Sequence, residues 1–97
     1  MTRAESRVIA IQSRRVERAV ARAVDPETPG EARKRAARQA AWAAERAGLL
    51  VRPDRCEWCR RWGRERLERH HFDYYQPLLI LFLCPDCHDL ADAGIAG

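Results

Sequence analysis

The sequence has no apolar run approaching the roughly 18 residues that a membrane-spanning helix needs. Its longest candidate, Pro77 to Cys84, is of strand length. A helical membrane span is therefore excluded. The N-terminus lacks an apolar segment followed by a cleavage site, so no secretory signal is expected and a cytoplasmic location is. Internal repeats are absent. Lysine is almost absent as well: Lys34 is the sole one, and every other cation is arginine. At 97 residues the chain is too short for two large domains and suits one compact unit with appendages.

What is present begins with charge. The formal net charge is +4, from 18 basic and 14 acidic residues. Met1 to Arg52 holds 12 basic and 6 acidic residues, a balance of +6, and Pro53 to Gly97 holds 6 and 8, a balance of −2. Arginine binds phosphate in a bidentate way and is the usual choice at nucleic-acid surfaces. The competing explanation is compositional, since GC-rich coding also enriches Arg and Ala.

Two domains are expected, an Arg/Ala-rich helical arm over residues 1–52 and a cysteine-bearing domain over residues 53–97, with Pro53 at the boundary. Arg3 to Val24 reads as a helix, with Val8, Val16, Val20 and Val24 at multiples of four and Ile9, Ala19 and Ala23 beside them. Arg7, Arg14, Arg18 and Arg22 form a neighbouring stripe. Asp25 to Gly30 breaks the pattern with two prolines and a glycine. Thr28 with Glu31 predicts a capping box, and a second helix runs from Pro29 to about Ala47 with Gly48 as its stop. The apolar stripe of this helical hairpin is narrow, mostly Val and Ala with Trp42 as the one large residue of the second helix. It is expected to pack on the rest of the chain, on a second copy or on a partner.

In the second half, Arg66 to His71 predicts a short strand and Phe72 to Pro77 a Tyr-bearing loop. Leu78 to Leu83 predicts a strand buried on both faces, and Asp86 to Ala93 a short helix ended by Gly94. The strands lie between two cysteine pairs, Cys56-Glu57-Trp58-Cys59 and Cys84-Pro85-Asp86-Cys87, 24 residues apart. Two residues between thiolates let both reach one tetrahedral zinc from a tight knuckle. The alternative, two disulfides, belongs to oxidising compartments. A core of this size scarcely folds without its metal, so the zinc is expected to be structural. The fold class is a small metal-bound α+β protein, a helical hairpin followed by a zinc ribbon.

All three histidines, His70, His71 and His88, lie in this half. Adjacent on a strand, His70 and His71 face opposite sides. They are either half-buried surface residues or members of a site. Arg55, Arg60, Arg61 and Arg64 surround the first cysteine pair with Trp58 and Trp62 among them, a pattern that suits phosphate contact and base stacking. Trp58 and Trp62 are equally compatible with forming the ribbon's small core. Tyr74 and Tyr75 read as hairpin packing. Arg14, Arg18 and Arg22 on the first helix are either a solvated stripe or a surface for a negatively charged partner.

The string His70-His71-Phe72-Asp73-Tyr74, then Pro77-Leu78, then Leu83-Cys84-Pro85-Asp86-Cys87-His88 resembles the small phage-encoded HNH-type zinc-ribbon proteins, of the His-Me finger, treble-clef or ββα-metal, nucleases. The likeness covers about Cys56 to Asp92, and the N-terminal half lies outside it. It implies a treble-clef ribbon and a phage- or prophage-encoded protein acting in the bacterial cytoplasm. It also implies a catalytic divalent metal such as Mg2+ or Mn2+ held by His70, His88 and Asp92. His71 would be the base that activates water against a phosphodiester. The chain departs from the pattern at two positions. Asp92 stands where the motif has His, a change that Mg2+ or Mn2+ accepts. Leu79 stands where the motif has the residue that orients the base, and leucine cannot hold an imidazole tautomer. Asp73 is the nearest substitute. The sequence therefore supports three readings: a metal-dependent endonuclease, a DNA-binding regulator, and a non-catalytic adaptor for a host or phage protein.

Overall fold

Helix α1 spans Arg3–Val24, and its start is fixed by Thr2. Thr2 Oγ1 accepts from the Glu5 amide at 3.1 Å while Glu5 Oε2 accepts from the Thr2 amide at 3.3 Å, a capping box that satisfies two otherwise orphaned donors. The computed structural model describes residues 2–94, and the side chains of Val8 and Ile9, counted above in the apolar stripe, lie outside the described residues. The buried face of α1 is Gln12, Val16, Ala19 and Ala23, with Val20 half-buried. Val24 is 46% exposed, because the chain leaves the helix there and turns away through Asp25.

Helix α2 spans Gly30–Arg46. Its N-cap is Pro29, one residue later than the expected capping box requires, and no side chain caps it. Thr28 instead donates its amide to the Asp25 carbonyl at 3.1 Å and so belongs to the turn. The C-terminal stop is at Gly48, whose φ of +79° is in the left-handed region. Leu49 donates to the Ala44 carbonyl at 2.8 Å and Gly48 to that of Glu45 at 3.2 Å, the pairing of a Schellman end. Ala32, Ala36, Ala37, Ala40, Ala41, Ala43 and Ala44 are all buried, so α2 meets α1 through methyl groups. Val16 clusters with Ala43 and Ala44, and Ala23 with Ala36 and Ala37. Late residues of α1 thus meet early residues of α2, which makes the pair antiparallel. Trp42 lies outside this seam, 38% exposed, with the Arg46 guanidinium 5.5 Å from its ring centre.

Arg33 is buried, and its guanidinium donates to the carbonyls of Ala23 at 2.9 Å and Asp25 at 2.8 Å. It thereby satisfies acceptors that the end of α1 leaves open, where a cation is also favoured by the helix dipole. The same guanidinium stacks 4.0 Å from the ring centre of Tyr75. Tyr74 packs against Ala23, Ala36 and Ala37.

The chain forms two compact units. One holds residues up to Val51 together with Asp73–Leu79, and the other holds Arg52–Phe72 and the chain from Ile80 onward. In the second unit, strand β1 (Glu68–His71) pairs antiparallel with β2 (Ile80–Leu83), with Glu68 opposite Leu83 and His71 opposite Ile80. Arg66 is not in the strand: Arg64–Arg66 is a single 3-10 turn closed by Leu67 donating to the Arg64 carbonyl. Leu78 and Leu79 are exposed and precede β2, because Leu79 still donates back to the Gln76 carbonyl within the loop. Within β2 only Phe82 and Leu83 are buried, while Ile80 and Leu81 are half-buried. Helix α3 (Pro85–Asp92) follows, with Cys84 as N-cap and Gly94, φ +79°, past its end. The core of this unit is Cys56, Leu67, Phe82, Leu83, Cys84 and Cys87, with Trp58 packed against it. Arg52 donates to the Leu67 carbonyl at 2.6 Å and lies 5.1 Å from the Phe82 ring centre. Together these elements make a small α+β protein with a two-stranded sheet beside a cluster of four cysteines. No helix of the described residues is long and apolar enough to cross a membrane.

Candidate metal centres

The first cysteine pair sits in a tight knuckle. Arg60 donates to the Cys56 carbonyl at 3.0 Å and Cys56 to that of Arg61 at 3.1 Å. Glu57 then ties the knuckle to the sheet twice, its amide donating to the Phe82 carbonyl at 3.1 Å and its Oε2 accepting from the Phe82 amide at 2.7 Å. The second pair opens α3, where Cys84 Sγ accepts from the Cys87 amide at 3.4 Å. Pro85 suits the first helical position, because its missing N–H would be unsatisfied there. The result is that Cys56, Cys59, Cys84 and Cys87 bring their sulfurs within 4.8 Å of one another, positioned to hold a metal ion.

The four thiols are electrostatically unequal. Burial opposes a thiolate at Cys56, but the amides of Cys84, Cys59 and Trp58 outweigh it and bring its pKa down to about 6. Burial pushes Cys84 up, and pushes Cys87 up to about 12 with help from the neighbouring sulfurs. A divalent cation among them would compensate the crowded thiolates, which is the chemistry that four sulfurs at this separation offer.

A second group forms around His88 and Asp92 of α3. His70, His88 and Asp92 present ligand atoms within 4.8 Å of one another. His70 Nδ1 lies 3.4 Å and His88 Nε2 3.7 Å from Asp92 Oδ1, and the two imidazole centres are 5.2 Å apart. His70 is supplied by β1 and is buried; His88 and Asp92 are one turn apart on α3. Burial, then the nearby His88, lowers the pKa of His70 below its ordinary 6.5, against the pull of Asp92. The neutral imidazole, the form that can bind a metal, is thereby favoured. Asp92 is 62% exposed at its side chain, so the group is open on that side.

Glu68 belongs to this site although the sequence reading omits it. Its Oε1 accepts from His88 Nδ1 at 2.8 Å. A carboxylate only accepts, so Nδ1 is the donor here, and the other ring nitrogen, Nε2, is the one on the Asp92 side. The available signal is spacing: Glu68 and His70 are two apart on a strand and share a face. His71, next along β1, is buried and is not part of the three-residue group. Asp73 Oδ1 accepts from the Tyr75 amide at 2.9 Å within the loop, and Asp73 is not part of the three-residue group.

The arginines divide as well. Arg55, Arg60 and Arg61 are exposed, whereas Arg64 is engaged by Asp54. Trp58 packs on the core and Trp62 stands 41% exposed, with the Arg66 guanidinium 5.4 Å from its ring centre. On α1, Arg14, Arg18 and Arg22 are exposed. A groove of about 400 Å³ is lined by Arg18 and Arg22 together with Arg15, rather than Arg14, over a floor of Ala19 and Ala36 beside Gln39. Comparison with family models, with curated proteins and with solved structures finds no match for this chain.

Proposed function

We propose that the protein is a zinc-stabilised nucleic-acid-binding protein whose second metal group gives it phosphodiester-hydrolysing chemistry of the HNH type. The observation that carries this reading is the convergence of His70, His88 and Asp92, two imidazoles and a carboxylate, around one point. It is supported by Glu68, whose hydrogen bond to His88 Nδ1 orients the ring with Nε2 on the Asp92 side. The order of elements, knuckle, hairpin, second knuckle and helix, supports a treble-clef ribbon and the resemblance to phage HNH-type proteins. For the first site, zinc is the best fit. Tetrahedral Zn–S bonds of about 2.3 Å separate sulfurs by about 3.8 Å, and Cys59 Sγ lies 3.7 Å from Cys84 Sγ.

In this reading the cysteine-bound zinc is structural. A second divalent cation, Mg2+ or Mn2+, on His70, His88 and Asp92 would stabilise the charged phosphate and the leaving oxygen. His71 is the residue proposed to take a proton from water. Arg55, Arg60 and Arg61 next to the knuckle and the arginines of α1 supply salt-sensitive affinity for the phosphate backbone. The test is nicking of supercoiled plasmid in Mg2+, Mn2+ or Ni2+. Wild type is expected to nick, and His71→Ala to abolish nicking while its zinc content stays unchanged. Absence of nicking by wild type in all three metals contradicts the enzyme. DNA binding without nicking would then favour a regulator, and a stable protein complex without DNA binding an adaptor.

A further inference from the structure

An open cavity of about 580 Å³ lies beside the four cysteines, lined by Trp58, Trp62, Cys59, Arg61, Asp86 and Leu90 among others. At 100° per helical residue, Asp86 and Leu90 share one face of α3 while His88 and Asp92 share the opposite one. The cavity is therefore separate from the histidine group, with the thickness of the helix between them.

Its walls are apolar and aromatic, and its rim is charged. Trp62 and Leu90 are 41% and 42% exposed there. Trp62 is presented by a backbone that would favour glycine: both Arg60 and Trp62 adopt the left-handed conformation, with φ of +63° and +73°. A non-glycine residue held in that region points to a use for its side chain. Arg60 and Arg61 are exposed on the same knuckle and make no ion pair among the described residues. Asp86 supplies a carboxylate that can accept from an exocyclic amino group or ring N–H. An indole face for stacking, an unpaired guanidinium for phosphate and one carboxylate for a base edge are complementary to a nucleotide.

We infer that this cavity is a stacking site for an unpaired base of single-stranded nucleic acid, with Trp62 as the platform and Arg61 on the adjoining phosphate. The inference rests on the nucleic-acid reading above but not on catalysis, because it uses the other face of α3. A duplex, whose bases stay stacked on one another, does not enter it.

The test compares three fluorescent probes on the full chain with its metal retained: a single-stranded oligonucleotide of roughly 12 residues, the same strand made largely abasic, and the duplex. Wild type is expected to bind the intact strand about tenfold more tightly than the abasic strand, a comparison that needs no variant. Trp62→Ala is expected to weaken the intact strand by a similar factor, Trp62→Phe to restore most of it, and neither to alter duplex affinity or zinc content. Equal affinity of wild type for intact and abasic strands overturns the site. So does unchanged single-strand binding by a folded Trp62→Ala, or competition by N-acetyl-tryptophanamide without any by a free nucleotide, which would assign the cavity to a protein side chain. If neither strand nor duplex binds wild type, the nucleic-acid reading falls and this site with it; if the duplex binds but the strand-specific differences are missing, only this site falls.

Discussion

Arg60 shows how a single position can trade stability for presentation. Its φ of +63° costs an L-residue about 1–2 kcal/mol relative to a right-handed conformation, a cost that glycine escapes. Arg60→Gly is therefore expected to raise folding stability by about 1 kcal/mol in a denaturant titration while weakening nucleic-acid affinity. A loss of stability would mean that the guanidinium makes contacts that outweigh the strain. The cysteines set a second residue-scale expectation. Burial keeps Cys84 and Cys87 protonated well above neutrality, whereas backbone amides hold Cys56 at about 6. Loading the cysteine site at pH 7 must therefore displace protons from Cys84 and Cys87, and acid opposes it. Metal affinity measured against a chelator is expected to fall as pH falls from 8 to 7, by roughly tenfold per unit for each displaced proton. An affinity independent of pH over that range would contradict these ionisation states.

At the scale of elements, the helical pair is held by methyl groups at close range. Ala37 is fully buried and packs with Ala23, Ala36 and Tyr74. Ala37→Leu is expected to cost about 1–3 kcal/mol by overpacking, even though it raises hydrophobicity and keeps helix propensity. Urea unfolding measures the loss, and a stabilised variant would show that α1 and α2 do not pack as described. The sequence made much of this architecture legible. Apolar spacing marked α1, Pro29 with the Ala-rich run before Gly48 marked α2, Gly48 and Gly94 marked two helix ends, and the two cysteine pairs marked the four-sulfur cluster, whereas His70, His88 and Asp92 were implied as a group only by the resemblance to HNH-type proteins. What escaped it depended on contacts distant in sequence or on one-residue offsets. Arg33 reads as one more arginine in a charged helix, and only the fold shows it closing the end of α1. The apolar run at Leu78 hid the boundary between loop and strand, since leucine fits either and the Leu79 to Gln76 hydrogen bond decides. Glu68 carries no signal of its own, because its partner His88 is 20 residues further along the chain.

For the whole molecule, the excess of 18 basic over 14 acidic residues is concentrated in exposed arginines, with Arg15, Arg18 and Arg22 around one groove. If nucleic acid is the partner, affinity is expected to fall linearly in log–log terms with salt, at a slope of about −0.7 to −0.9 per phosphate contacted. Replacing both Arg18 and Arg22 with Gln is expected to shallow that slope by about 1–2 units, as read by fluorescence anisotropy. An unchanged slope would place the phosphate contacts elsewhere. The proposed function rests on both metal groups, with the cysteine cluster assigned to holding the fold and the His70, His88 and Asp92 group assigned to the chemistry. Metal analysis of native protein, purified without chelator and equilibrated with Mn2+, tests this most directly. Two metals per chain are expected, zinc and manganese, with the paired substitution of His88 and Asp92 by Ala removing the manganese and leaving the zinc. A single zinc per chain, unaffected by that substitution, would contradict the second site and with it the hydrolytic function.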